Sequence, residues 1–304
     1  MITSPLIPNA NTKLVREIES SKVVEGYQNE LNLDVTEYFA GPTFQVRECE
    51  ASGYQFYYPY SLVGNESLYR HLQHFDWNYK AHKWEYNRIA EFLRGDSTVL
   101  DVGCGQGAFL TIAEGKGLEA HGLELNSSAA ELARSNGLRV STESISDHAR
   151  ANPERYDAVC SFQVLEHIPH VNTFIADCIA ALKPGGLLVF GVPNNDGFLK
   201  YADAFLNMPP HHMGLWTERS LSALADVFDL KLIMIEREPL QEIDWYMSVM
   251  ERRFLRGRLV RKIYYSLGGA RVMRAIVSYR SNNIAGHTIV AAYRKDTHER
   301  HPSA

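Results

Sequence analysis

Several things are scarce in this chain of 304 residues. Its four cysteines, Cys49, Cys104, Cys160 and Cys178, form no Cys-x-x-Cys pair and keep no even spacing. That speaks against a zinc framework or a disulfide scaffold and fits reduced thiols in a cytoplasmic protein. No run of about 18 apolar residues occurs, so no hydrophobic membrane-spanning helix is expected. The first residues, Met1 to Lys13, lack a basic segment followed by an apolar core, so no secretory leader is expected either. Excess positive charge is also missing: 31 Lys and Arg against 36 Asp and Glu give a net charge of −5. A protein coated for general nucleic-acid binding is thereby excluded, and only a local basic patch stays open.

What is present is enough apolar material, 45% of residues, for one large core with elaborations. Residues 1–87 read as an N-terminal extension and cap, with a helix expected over Thr12 to Val24. Twelve aromatic residues fall between positions 41 and 87, among them Phe44, Tyr54, Phe56, Tyr57, Tyr69 and Trp77. Gly53 to Tyr58 has strand character until Pro59 stops it. These aromatics read either as a cap packed over one end of the main sheet or as a wall over a pocket suited to sugar rings.

The centre of the sequence is Val99 to Leu110, Val-Leu-Asp-Val-Gly-Cys-Gly-Gln-Gly-Ala-Phe-Leu. An apolar run, a glycine turn and a helical pattern predict a buried parallel strand, a tight turn and a helix packed back on it. Two cofactor classes use such a turn. Gly103, Gly105 and Ala108 fit the dinucleotide fingerprint, with Glu124 placed for a ribose hydroxyl. Gly103, Gly105 and Gly107 fit the Gly-x-Gly-x-Gly turn of enzymes that bind S-adenosyl-L-methionine (SAM). Asp101 helps separate them, since a carboxylate there repels a pyrophosphate and suits the positive charges of SAM.

From Ser97 onward strand and helix alternate. Strands are expected at Thr98–Val102, Glu119–Leu123, Arg139–Thr142, Tyr156–Phe162 and Leu187–Val192. Helices are expected from Gly107, over Ser127–Ser135 with Asn126 or Ser127 as cap, over Val171–Leu182 and over Glu218–Phe228. Lys183-Pro184-Gly185-Gly186 reads as a helix stop and turn. This order implies an α/β, doubly wound, mainly parallel sheet, with ligands beyond the carboxyl ends of its strands.

Val99–Leu110, Gly122–Asn126, Tyr156–Val159, Val164–Ile168 and Leu182–Gly186 stand in the order and spacing of class I SAM-dependent methyltransferases. The chain most resembles the branch with the ubiquinone-biosynthesis O-methyltransferases and the methyltransferases of bacterial glycan and natural-product clusters. The resemblance spans about residues 85 to 237 and the strand His287 to Arg294. It implies a Rossmann-like, seven-stranded sheet with an antiparallel last strand, in a domain over residues 88–304. By the same resemblance Asp101, Gly103, Cys104, Gly105 and Gly107 line the methionine part of SAM, and Glu124 takes the ribose hydroxyls. Leu125 packs on the adenine, Glu143 to Ile145 face its edge, and Gln163 lies near the methyl group.

Methyl transfer to an alcohol needs the acceptor's proton removed, and histidine suits that task. His167 closes the Leu165-Glu166-His167 motif, with a structural role as its rival reading. His211 and His212 follow Pro209-Pro210 in the loop where similar enzymes face the acceptor. The ubiquinone-type enzymes carry a Glu-x-x-Glu-His metal motif, but Gln163 fills its first position here, so no required metal is expected.

An insertion at about 238–283 carries nine basic and three acidic residues between Gln241 and Asn283, interleaved with apolar ones. It reads as a basic amphipathic helix pair broken at Gly268-Gly269. Its readings are a solvated lid or dimer contact, then a surface for anionic membrane or lipid pyrophosphate carrier, and third RNA binding, which the negative global charge disfavours. The expected function is SAM-dependent methylation of an oxygen on a small molecule or saccharide, possibly lipid-linked, in the cytoplasm or at the membrane periphery. An inactive SAM-binding scaffold and a NAD-dependent oxidoreductase are the alternatives.

Overall fold

The computed structural model describes residues 2–72, 75, 83–202 and 204–297, so Trp77 and Tyr79 lie outside the described residues. In chain order the strands are β1 (Thr12–Glu19), β2 (Thr43–Cys49), β3 (Gln55–Tyr58), β4 (Thr98–Val102), β5 (Glu119–Leu123), β6 (Val140–Ser141), β7 (Tyr156–Phe162), β8 (Leu182–Pro193), β9 (Gly214–Leu215), β10 (Leu230–Pro239) and β11 (Ala285–Lys295). The helices are α1 (Ser20–Leu31), α2 (Glu66–Leu72), α3 (Trp84–Phe92), α4 (Ala108–Gly115), α5 (Ser127–Ser135), α6 (Ile145–Ala151), α7 (Val171–Ala181), α8 (Glu218–Phe228), α9 (Ile243–Phe254), α10 (Arg258–Ser266) and α11 (Gly269–Arg280).

Seven strands form the main sheet in the order β10-β11-β8-β7-β4-β5-β6. β4 to β8 pair in parallel, while β11 runs antiparallel to both β8 and β10. The expected seven-stranded sheet with an antiparallel last strand is what the chain forms. β4 and β7 are almost wholly buried because helices cover both faces, which is why their sequences read as continuous apolar runs. Chain order reverses between β5 and β7, on either side of β4, so a crevice opens beyond the carboxyl end of β4.

The smaller sheet has the order β1-β2-β3-β9. Its outer face shares a core with α1 and α2 through Val23, Tyr27, Phe44, Val46, Tyr57 and Leu68. Phe56 of β3 and Tyr54 just before it join the core of the main sheet, and Tyr54 packs on Trp216 with ring centroids 4.3 Å apart. Phe44, Tyr54, Phe56 and Tyr57 are thus core residues, and the reading of them as a wall over a sugar pocket is not realised.

Three local expectations need correction. Thr12–Glu19 is a strand, and the helix starts only at Ser20. Leu14, Val15 and Ile18 have helical spacing, but antiparallel pairing with β2, from Thr12 opposite Cys49 to Glu19 opposite Thr43, decides the outcome. Lys183–Gly186 lies within β8, where a register slip opposite Tyr156 to Ala158 and a positive φ at Gly185 absorb it as a bulge. The insertion forms three helices, because the chain breaks at Gly257 (φ +98°) as well as at Gly268 (φ +72°).

Candidate active site

Beyond β4 the backbone turns through Gly103, Gly105 and Gly107, with φ of +81°, +54° and +83°. A side chain is excluded by space as well as by conformation. A Cβ on Gly103 would stand 2.4 Å from Val164 Cγ2, and one on Gly107 would stand 2.2 Å from Leu138 Cδ1. Cys104 belongs to the packing under the turn: it is buried among Val99, Phe109 and Leu110. Its N–H donates to the Leu123 carbonyl at 3.0 Å, and its carbonyl accepts from Gly107. Its side chain therefore faces the core, which leaves its backbone as the part of Cys104 that could line the cofactor.

Glu124 follows β5 at the same rim. One carboxylate oxygen accepts from the Gly105 N–H at 2.8 Å, the other from the Asn126 N–H at 2.7 Å. Burial pushes its pKa up, and these N–H groups pull it back. Two bonds leave the carboxylate's remaining lone pairs for a diol. Asn126 caps α5 by accepting from Ser128 and Ala129, which fixes the turn after Glu124. Next to it Leu125 is 69% exposed, an apolar lip beside the crevice. Further along the rim, Glu143 bonds His148 and Ser144 caps α6.

Asp101 is buried near the end of β4, and its Oδ1 has no hydrogen-bond partner among the described residues. Desolvation drives its pKa up to about 8, against the field of Lys83 and helped by the negative charge of Glu124. An unsatisfied buried carboxyl is costly unless something meets it. An ammonium or sulfonium group in the crevice would do so, whereas a pyrophosphate would face Asp101 and Glu124 together. The residues present therefore fit SAM and oppose a dinucleotide.

Gln163, directly after β7, holds φ +56°, a strained conformation for a side-chain-bearing residue. Its N–H donates to the Gly191 carbonyl at 2.7 Å, and its amide reaches buried Glu85 at 3.3 Å. Four residues on, His167 meets the loop after β8. The ring centroids of His167, His211 and His212 lie 4.5 to 4.8 Å apart. His167 Nδ1 donates to the His211 carbonyl at 2.7 Å, and His212 Nδ1 donates to Asn207 Oδ1 at 3.0 Å. In both neutral rings the lone pair is therefore on Nε2. The smaller sheet and α2 hold this loop in place: the Tyr57 N–H of β3 bonds the Met213 carbonyl, and the Tyr69 hydroxyl of α2 bonds the His211 carbonyl.

Burial keeps all three rings uncharged. The pKa of His167 falls to about 4, and those of His211 and His212 fall well below the usual value, with mutual repulsion adding to desolvation. The nitrogens offered by the trio lie within 4.8 Å of one another, so these three side chains are also the group among the described residues that could hold a metal ion. Sequence reasoning missed Glu166. It is buried, with Oε2 lacking a hydrogen-bond partner among the described residues and Oε1 3.9 Å from His167 Nε2, and desolvation raises its pKa to about 8. An acid inside the apolar run Val164 to Ile168 was its available signal.

A crevice that seeks a cation and a diol, at the switch point of a sheet with this strand order, defines the class I SAM-dependent methyltransferases. Residues 71–235 match the family model described as a methyltransferase domain, more than half of the chain, and the chain belongs to that family. A ubiquinone biosynthesis O-methyltransferase of Serratia proteamaculans is 35% identical over 107 residues, covering 33% of this chain and 44% of that protein. The enzyme of the same name from Vibrio atlanticus is 32% identical over 157 residues, covering 48% and 63%. The chain thus spans less than two thirds of these relatives' length. A SAM-dependent methyltransferase from Archaeoglobus fulgidus superposes with a TM-score of 0.50 at 17% identity, covering 69% of this chain and 91% of that one. This likeness concerns the fold.

Proposed function

We propose that the protein transfers the methyl group of SAM to a hydroxyl oxygen of a small-molecule acceptor. The observation that carries this reading is the trio of neutral imidazoles, His211 and His212 buried and His167 partly exposed, on the loops after β7 and β8. Asp101, the glycine turn and Glu124 would hold SAM, with Leu125 against its base. When bound, SAM supplies a methyl group already activated by its sulfonium, so the chain's own task is alignment and proton removal. His167 or His212 takes the hydroxyl proton at Nε2, since in each the Nδ1–H is committed to an oxygen. Gln163, fixed to Glu85 and Gly191, borders the space between cofactor and acceptor. The low proton affinity of the rings favours an acceptor hydroxyl that ionises readily. A saccharide, free or lipid-linked, is the finer reading. Phe44, Tyr54, Phe56 and Tyr57 are core and do not support it, so it rests on the histidine loop, on Tyr69 beside His167 and His211, and on the resemblance to glycan-cluster enzymes.

The test couples binding with turnover. S-adenosylhomocysteine is expected to raise the melting temperature of the wild type and of a His211→Ala, His212→Ala variant, and to leave Glu124→Ala unmoved. With labelled SAM and a panel of phenols and saccharides, the histidine variant should lose on the order of 10²–10⁴ in rate. Wild-type turnover by that variant would remove the loop as proton acceptor. Tight S-adenosylhomocysteine binding without transfer to any acceptor would favour the inactive scaffold.

A further inference from the structure

The segment between β10 and β11 carries a charge asymmetry that methyl transfer does not use. From Arg252 to Asn283 there are nine basic side chains and no acidic one. Subtracting those nine from 31 leaves 22 basic residues elsewhere, against all 36 acidic ones. The local balance is therefore opposite to that of the rest of the chain.

The three helices of the insertion are held unequally. α9 buries Met247 and Val249 with Phe198, Leu199 and Leu240, and its Trp245 meets Phe198 edge-on at 4.9 Å. α11 contributes Val277 to that cluster. α10 buries nothing. Its apolar residues Leu259, Val260 and Ile263, with Leu267 at its C-cap, recur at helical spacing along one face, yet all are exposed, Leu267 at 79%. On α11, Val272, Ile276 and Tyr279 make a second exposed row, with Tyr279 at 90%. Exposed apolar rows among cations mark a surface that meets something.

Charge chooses among the occupants. A second copy joined about a two-fold axis would set the same cations against themselves. A nucleic acid would answer the charge and leave the apolar rows in water. A bilayer with anionic lipids answers both, taking the apolar side chains among its acyl chains and the arginines and lysine among its headgroups. We propose that α10 and the exposed face of α11 dock this protein on an anionic membrane surface. The docking face is tied to the catalytic rim: α9 packs on Phe198 and Leu199, in the stretch leading from β8 to the histidine loop, and Trp245 lies 5.5 Å from His287 at the start of β11. The proposal goes beyond the methyl-transfer reading and does not depend on it.

Co-sedimentation of the full chain with phosphatidylcholine vesicles, with and without phosphatidylglycerol, tests it. Binding is expected only to the anionic vesicles and should weaken as salt is raised. Arg258→Ser, Arg261→Ser and Lys262→Ser together should weaken it on the order of 100-fold. Leu259→Ser, Ile263→Ser and Leu267→Ser together should weaken it as well. Both variants should keep the S-adenosylhomocysteine thermal shift, which separates lost docking from lost fold. No binding at low salt overturns the proposal, as does equal binding to neutral vesicles. It is also overturned if the apolar variant binds like the wild type, if that variant abolishes self-association in a chain that ignores vesicles, or if RNA is retained in place of lipid.

Discussion

Asp101 shows how one side chain can be a cost to the fold and an asset to the site. Its carboxyl is buried with an open oxygen and is half-protonated only near pH 8. A cationic ligand beside it favours the ionised form, so cofactor binding at pH 7 is coupled to release of about one proton. Titration calorimetry of S-adenosylhomocysteine in buffers of different ionisation enthalpy should show that release. Asp101→Asn should abolish it and weaken binding at least tenfold, while raising the melting temperature of the ligand-free protein at pH 8. A buffer-independent heat for the wild type would mean that Asp101 is already ionised or does not meet the ligand. At this scale the cofactor side was legible, because Asp101 and Glu124 are charges at the ends of apolar strands. Glu166 was less so: only the folded structure shows its oxygen sealed beside His167.

Elements obeyed local signals where the chain supplies them and long-range pairing where it does not. β4, β5, β7 and α8 have the limits that their apolar runs and caps predict, since each is fixed by its own residues. β1 and β9 escaped because their partners lie far away: β1 needs β2, and two-residue β9 exists only by pairing with β3. That pairing has a functional result, because β9 begins just after His212 and ties the histidine loop to the smaller sheet. The glycine turn tests the other side of this contrast. Gly103→Ala would force a positive φ on alanine and drive its Cβ into Val164, so it should cost about 2 kcal/mol or more and remove cofactor binding. Asn126→Ala, which removes the cap of α5, should cost about 1 kcal/mol and leave binding measurable. Urea denaturation with and without S-adenosylhomocysteine distinguishes the two. Equal, small losses in both variants would deny the turn its special geometry.

For the whole molecule, the buried carboxyls and histidines set opposing limits on pH stability. Asp101 and Glu166 have folded pKa values near 8, raised from 3.8 and 4.5. Their contribution is complete below the unfolded values and is lost as pH rises through 8, because the unfolded chain gives up these protons first. The histidines act in the other direction. With the His167 pKa lowered from 6.5 to about 4, and those of His211 and His212 well below 6.5, stability is complete above 6.5 and is lost as pH falls. Three rings outweigh two carboxyls on the acid side, so stability should peak near pH 6.5 and decline on both flanks. Each ionising carboxyl costs up to about 1.4 kcal/mol per pH unit on the alkaline flank. Urea midpoints measured from pH 5 to 9 check this. Asp101→Asn with Glu166→Gln should remove the alkaline decline and steepen the acid limb, and the triple histidine-to-alanine variant should replace the acid limb with a decline that continues up to about pH 8. An alkaline decline that survives the double carboxamide variant would have to come from other groups, and the two sealed carboxyls would then not be what limits this fold at high pH.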